Sequence, residues 1–340
     1  MKCGIIGLPN VGKSTLFNFI SNKNKAEVKN FPFCTIDPNI SIINVIDNRL
    51  KIINKIIKSK KIIYSTIKLI DIAGIIKGAH NGEGLGNRFL SKIRETNVII
   101  HILRSFKDNN IIHVENNIDP IRDKEIVETE LQLKDIETLK KYLKKINNNN
   151  KKEINFINKT ISILNSGKNL RSYFFSDYLQ ERKILKNLSL LTNKPVIYLI
   201  NIDKYITEKD KLIFNKLKNN LQKKEKIMFL TLKKEYLNKK DIYNIIRKIY
   251  SFIELENFFT VSKKEIRSWI MKKGTNTLQA AEIIHTDFKK GFIKAKVIHY
   301  KDYIKYKSEE LLKKKGKIFF LGKNSSIKDG DIVHFIFKKN

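Results

Sequence analysis

The stretch G-L-P-N-V-G-K-S, residues 7–14, decides the fold of this chain. It matches the phosphate-binding pattern G-x-x-x-x-G-K-[ST], which carries weight only between a strand and a helix. That context holds here, because the apolar run K-C-G-I-I leads into the first glycine and a helical pattern follows Ser14. Glycines let backbone N–H groups converge on phosphates, and the helix N-terminus adds its partial positive charge. In such a loop Lys13 reaches the β- and γ-phosphates, and the Ser14 hydroxyl ligates Mg²⁺.

Two further elements fit the same machinery. D-I-A-G, residues 71–74, closes an apolar strand and supplies an aspartate for the Mg²⁺ side, acting through water, and a glycine whose N–H senses the γ-phosphate. Between the two lies N-F-P-F-C-T-I, residues 30–36, where Thr35 is a switch hydroxyl that closes on Mg²⁺ only with a γ-phosphate present. The Ras-like plan then calls for a glutamine that orients the attacking water. This chain has Ile75, which can neither donate nor accept a hydrogen bond. The glycine-rich segment 78–87 reads as a nucleotide-sensing loop. Three histidines are candidates for the missing group: His80 in that loop, His101 in the strand V-I-I-H-I-L, better read as core, and His113 in N-N-I-I-H-V.

On the base side the chain reads L-I-N-I-D-K-Y, residues 199–205. A guanine-reading loop needs an Asp three residues after the Asn, because its carboxylate accepts from guanine N1–H and the exocyclic amine. Here Asn201 is followed by Lys204, which has no acceptor while protonated. A site without that acceptor forfeits the discrimination. ATP is therefore favoured over GTP, with a bulge that swings Asp203 into the guanine-reading place as the alternative.

The rest of the chain is organised around this core. At 340 residues, two or three domains are expected. Candidate strands at 2–7, 66–71, 98–103, 195–201 and 226–230 alternate with amphipathic helices, which implies a largely parallel sheet. From 123 to about 146 the apolar residues Ile126, Leu133, Ile136, Leu139, Leu143 and Ile146 form one helical stripe. After N-N-N-N at 147–150 a second helical run covers about 152–164, giving an inserted antiparallel hairpin. Beyond about 254 come short alternating strands, turns at Gly274 and Gly291 and a final D-G-D, a small mixed β domain. No apolar run approaches the length of a membrane span, and the N-terminus does not read as a targeting signal, so the cytosol is expected. Cys3 and Cys34 share no metal-ligand spacing. The net charge of +34 suits a polyanionic partner, although Lys, Ile and Asn recur everywhere, as codon bias alone would produce.

Taken together, G-L-P-N-V-G-K-S-T-L-F-N, N-F-P-F-C-T-I-D-P-N, D-I-A-G-I-I-K-G-A, G-E-G-L-G-N, I-R-E-T, D-N-N-I-I-H-V and I-H-T-D-F-K-K-G-F-I-K-A resemble the YchF/Obg-like ATPases along essentially the whole chain. The resemblance implies an α/β fold in three parts: a P-loop NTPase domain (1–122 and 193–254) with a mostly parallel sheet, an inserted helical coiled-coil arm (123–192), and a C-terminal β-grasp TGS domain (255–340), ubiquitin-like. It implies that His113 takes over from the missing glutamine, so the catalytic set becomes Lys13, Gly74 and His113. The nucleotide set becomes Asn10, Val11, Gly12, Lys13, Ser14 and Thr15, with Asn201, Ile202, Thr231 and Leu232 around the base; Ser14, Thr35 and Asp71 serve Mg²⁺. Asn10 resembles the asparagine that helps the wider class bind K⁺. The family's base motif is N-x-x-E, from which Lys204 departs. The implied function is a slow ATPase that switches on the ribosome, at the rRNA surface of the large subunit; the composition is that of a soluble protein with no membrane role, and nothing in the sequence demands more than a monomer. A nucleotide-dependent binding module or stress regulator with incidental hydrolysis is the rival, and turnover with and without ribosomes separates the two.

Overall fold

The computed structural model describes residues 1–28, 39–72, 78, 85–146, 150–173, 179–221, 224–233 and 235–338. Thr35, Gly74, Ile75, His80, Cys34 and Asn147 to Asn149 lie outside them. The strands are β1 Lys2–Ile6, β2 Ile40–Val45, β3 Lys61–Ile63, β4 Ser65–Asp71, β5 Val98–Arg104, β6 Val196–Asn201, β7 Glu225–Leu230, β8 Leu255–Val261, β9 Glu265–Lys272, β10 Phe292–Ile298, β11 Phe319–Leu321 and β12 Ile332–Phe337. The longer helices are α1 Lys13–Val28, α2 Asn48–Ile57, α3 Leu85–Arg94, α4 Pro120–Leu143, α5 Lys151–Asn165, α6 Leu179–Leu188, α7 Glu208–Asn219, α8 Lys239–Phe252 and α9 Thr277–Ile284.

The architecture is the expected α/β fold, divided into two compact units: 1–43 with 68–242, and 44–67 with 243–340. In the first, the strands lie in the order β2-β4-β1-β5-β6-β7. β1 is parallel to both β4 and β5, and β5, β6 and β7 continue in parallel. The chain thus builds outward to one side of β1 and then to the other. That reversal opens a crevice at the carboxyl ends of the strands, where open α/β sheets bind ligands. β5 and β6 are buried along their whole length, as strands covered on both faces must be.

α4 starts under an Asp119 cap whose carboxylate accepts from Ile121 N–H at 3.0 Å and Arg122 N–H at 3.2 Å, with Pro120 at its first position. Its stripe differs from the one the hydropathy pattern picks out. Ile136 and Leu139 are buried, but Ile126 and Leu133 are only half-buried, and the deeper positions hold Val127, Leu131, Asp123, Glu128 and Asp135. The reason is pairing: Asp135 accepts from Leu191 N–H at 2.9 Å, from Thr192 N–H at 2.8 Å and from the Thr192 hydroxyl at 2.7 Å. Polar groups so satisfied can replace apolar ones inside. The far half of α4 packs with α5 and α6 through Leu139, Phe156, Ile157, Leu164 and Leu185.

The second unit is a mixed sheet in the order β11-β10-β12-β8-β9-β3. One face is covered by α9 through Ala280 and Ala281, over Phe258, Val297 and Val333. The other is covered by α2 through Leu50 and Ile53, against Phe259, Ile266 and Ile332. Residues 44–67, which fall inside the 1–122 segment of the sequence reading, cluster with this C-terminal unit. No helix among the described residues is long and apolar enough to cross a membrane.

Candidate nucleotide site

The phosphate loop connects β1 to α1 and takes backbone conformations that its composition permits. Gly12 sits at φ 104°, and a Cβ there would meet Asn201 Nδ2 at 2.7 Å. Asn10 is left-handed at φ 61°, a region that Asn tolerates better than most residues. Val11 is buried beneath the loop, while Ser14 stands exposed and Thr15 is half-buried at the start of α1. The Lys13 ammonium donates to the Leu8 carbonyl at 2.5 Å, folded back onto the loop it serves.

Asp71, at the end of β4, is the counterpart of Lys13. Burial pushes its carboxyl pKa up, and the Lys13 charge pulls it back part of the way. Its Oδ1 is buried with no hydrogen-bond partner among the described residues. A buried, unpaired carboxylate oxygen close to a phosphate loop fits a divalent cation, and Mg²⁺ keeps several waters and few protein ligands in such sites. Asp71 would hold it through water and Ser14 through its hydroxyl, with the bound cation neutralising charge on the β- and γ-oxygens.

Lys13 carries a pH consequence. Burial lowers its pKa to about 8, with Asp71 opposing. Triphosphate takes the protonated form, so above that pH binding must also take up a proton. Nucleotide affinity is expected to be flat below pH 8 and to fall by about tenfold per pH unit above it. Calorimetry in buffers of different ionisation enthalpy would detect the uptake. An affinity flat to pH 10 would mean that Lys13 stays charged throughout.

The base side is built on Asn201, at the end of β6. Its amide donates to the Val11 carbonyl at 3.0 Å, and its Oδ1 accepts from Leu232 N–H at 3.0 Å. One buried side chain thus ties the phosphate loop to the loop after β7. Ile202 and Leu232 are buried beside it, and the Thr231 hydroxyl donates to the Asp203 carbonyl at 2.9 Å. The Asp203 carboxylate accepts from Lys107 N–H at 3.2 Å and lies 3.8 Å from the Lys233 ammonium. Lys204 points elsewhere, 5.2 Å from each of the rings of Tyr205 and Tyr236.

The histidines separate cleanly. His101 is buried in β5, its pKa driven down to about 3 by burial, beside the Tyr198 ring. His113 is buried as well, in the loop between β5 and α4. Its Nε2 lies 2.8 Å from Asp123 Oδ2, and its Nδ1 accepts from Glu115 N–H at 3.1 Å. The ring is therefore turned inward, yet its neighbour touches the phosphate loop: the Asn10 amide donates to the Ile112 carbonyl at 3.1 Å.

Two residues outside the sequence motifs hold this loop and Gly78. Arg104, the last residue of β5, is buried and donates to the carbonyls of Phe106 at 3.3 Å, Asp108 at 3.1 Å and Ile111 at 3.0 Å. A lone cation ending an apolar strand before a loop is the one signal that pointed to it. Glu130 on α4 accepts from Gly78 N–H at 2.7 Å, so α4 also holds Gly78. Asp123 and Glu130 are seven residues apart, two turns along one helix face.

What this arrangement is shaped to hold is a nucleoside triphosphate, and its class is that of the P-loop NTPases. Comparison with known proteins narrows it. A family model described as a 50S ribosome-binding GTPase matches residues 2–160, and the YchF-GTPase C-terminal model, described as a protein of unknown function (DUF933), matches 255–338. The chain is 42% identical over 360 residues to the ribosome-binding ATPase YchF of Buchnera aphidicola subsp. Schizaphis graminum, covering 99% of both. It is 40% identical to human Obg-like ATPase 1, covering 99% of this chain and 92% of that one. The solved structure of the Schizosaccharomyces pombe YchF GTPase superposes with a TM-score of 0.80 at 33% identity, over 99% of this chain and 97% of that one. The chain belongs to the YchF/Obg-like ATPase family.

Proposed function

We propose that this protein is a Mg²⁺-dependent ATPase that prefers ATP to GTP and works as a nucleotide switch on the ribosome in the cytoplasm. The observation that carries the base preference is the pairing of Asp203. Its carboxylate is engaged by Lys107 N–H and faces Lys233, and Lys204 supplies no acceptor in its stead. Adenine is then read by backbone groups of 201–202 and 231–232. Lys13 and Gly74 bind the γ-phosphate, Ser14, Thr35 and Asp71 serve the cation, and His113 orients water in place of the glutamine whose position Ile75 fills. Asn10 is the residue through which K⁺ would raise the rate. The ribosomal assignment is supported by relatives named ribosome-binding ATPase and by the net charge of +34, which gives affinity for rRNA phosphates that weakens with salt.

Equilibrium binding of ATP and GTP with Mg²⁺ to the wild type and to Lys204→Asp tests the reading. Wild type should favour ATP, and the variant should gain GTP affinity by about tenfold or more, the discrimination that a paired hydrogen-bond acceptor supplies. A wild type that favours GTP would make the protein a GTPase, with another group reading the base.

A further inference from the structure

We infer that Asp123 is a positioning residue that latches the His113 ring in a withdrawn pose and so limits turnover. The inference rests on the proposed role of His113 in turnover.

Three observations carry it. First, both ring nitrogens are occupied: Nδ1 accepts a backbone N–H from Glu115, so the proton sits on Nε2 and is donated to Asp123. Neither nitrogen can orient a water in this pose. Asp123 is itself 1% exposed, and its other oxygen accepts from the Arg122 guanidinium at 2.8 Å, which keeps the carboxylate aimed at the ring.

Second, the segment is inside out. His113 is 5% exposed, whereas its neighbours Ile112 and Val114 are 77% and 44% exposed. A buried polar group flanked by solvated aliphatic ones is the informative departure from ordinary burial. Turning the segment over would cover the two aliphatic side chains and free the imidazole, so apolar burial offsets the hydrogen bonds given up. The ends of such a movement are marked. Arg104 pins the chain as far as the Ile111 carbonyl, and Asn116 beyond it is left-handed at φ 61°.

Third, the phosphate loop holds the segment directly. The Asn10 amide that donates to the Ile112 carbonyl belongs to the loop that nucleotide must occupy. A side chain drawn to phosphate or to its cation cannot keep that contact. Nucleotide binding thereby removes one of the restraints on the withdrawn pose, leaving the one at Asp123.

ATP turnover is to be measured in the full-length protein for wild type, Asp123→Ala, Asp123→Asn, His113→Ala and the double variant Asp123→Ala/His113→Ala. Asp123→Ala should raise kcat by up to about tenfold, the population shift set by one hydrogen bond to a charged group, with KM for ATP little changed. Asp123→Asn keeps an acceptor of the same shape and should stay near wild type. The gain should vanish in the double variant. If His113→Ala alone leaves turnover intact, the catalytic reading of His113 fails, whatever Asp123 does. If His113→Ala abolishes turnover while Asp123→Ala leaves kcat at or below wild type, the inference is overturned and the catalytic reading stands.

A measurement on wild type covers the case in which Asp123→Ala does not fold. The ¹⁵N signals of the His113 ring should show the Nε2–H form without nucleotide and change on adding a non-hydrolysable ATP analogue with Mg²⁺. A ring signature unaltered by saturating analogue would sink the idea.

Discussion

Replacing Lys13 by alanine is expected to lower ATP turnover by about 10²- to 10³-fold, the loss that follows removal of one preorganised group aimed at transition-state charge. Lys13 is 7% exposed and its ammonium is held on the Leu8 carbonyl, so it is already in place when phosphate arrives. Stability should move the other way or not at all. Burial disfavours the charged form strongly enough to bring the pKa to about 8, and the nearby Asp71 only partly offsets this. Removing the charge therefore relieves a desolvation penalty in the nucleotide-free protein. Single-turnover kinetics and urea unfolding on the same preparation would check both halves. A variant that loses turnover because it has unfolded would show the midpoint shift that this reasoning excludes.

The second large effect is structural. Arg171, 2% exposed, donates from Nε to Glu225 at 2.6 Å and from Nη2 to Glu128 at 2.5 Å and to the Tyr198 hydroxyl at 3.3 Å. Tyr198 in turn donates to Glu128 and, at 3.1 Å, to Glu225. Arg171→Ala leaves two buried carboxylates without their shared cation, and about 3–5 kcal/mol of destabilisation is expected. The exposed pair of Lys141 with Glu137, on the surface of α4, is the control, since removing it should cost no more than about 1 kcal/mol. Burial alone would push the Glu128 carboxyl up, yet Arg171 and Lys124 hold it down to about 2. Because the folded pKa is depressed, that contribution is complete above the ordinary carboxyl value of 4.5 and is lost as pH falls toward 2. Equal urea midpoints for wild type and Arg171→Ala at neutral pH would show that the network adds nothing.

The two variants probe features of one unit that differ in how openly the chain announces them. Phosphate binding depends on backbone: glycines where φ is positive or a Cβ would collide, a helix beginning at once, a lysine and a hydroxyl at fixed offsets. Those requirements are local, so residues 7–14 display them in the primary structure, and the same holds for the alternation that marks the parallel strands. Lys204 is legible for a related reason, because a missing acceptor is a property of residue type and needs no neighbour to be recognised. β2, by contrast, carries no such local mark, and nothing in residues 44–67 signals that they cluster with the C-terminal unit, since helices and strands of any unit carry the same periodicities.

Hydropathy periodicity assigns an aspartate to the surface unless a partner is known, and on α4 the partners come from far away in the chain. Asp135 is satisfied by residues 191 and 192, Glu128 by Arg171 and Tyr198, Glu130 by Gly78, Asp123 by His113. The chain by itself determined the nucleotide-binding class, the strand set around the phosphate loop and the lysine three residues after Asn201, because each follows from residue type at short spacing. Only the tertiary structure decided which charges go inside, that Asn201 joins the phosphate and base loops, and that His113 faces Asp123. A charge can be buried only when folding delivers its counterpart across tens of residues, and no local pattern records that meeting.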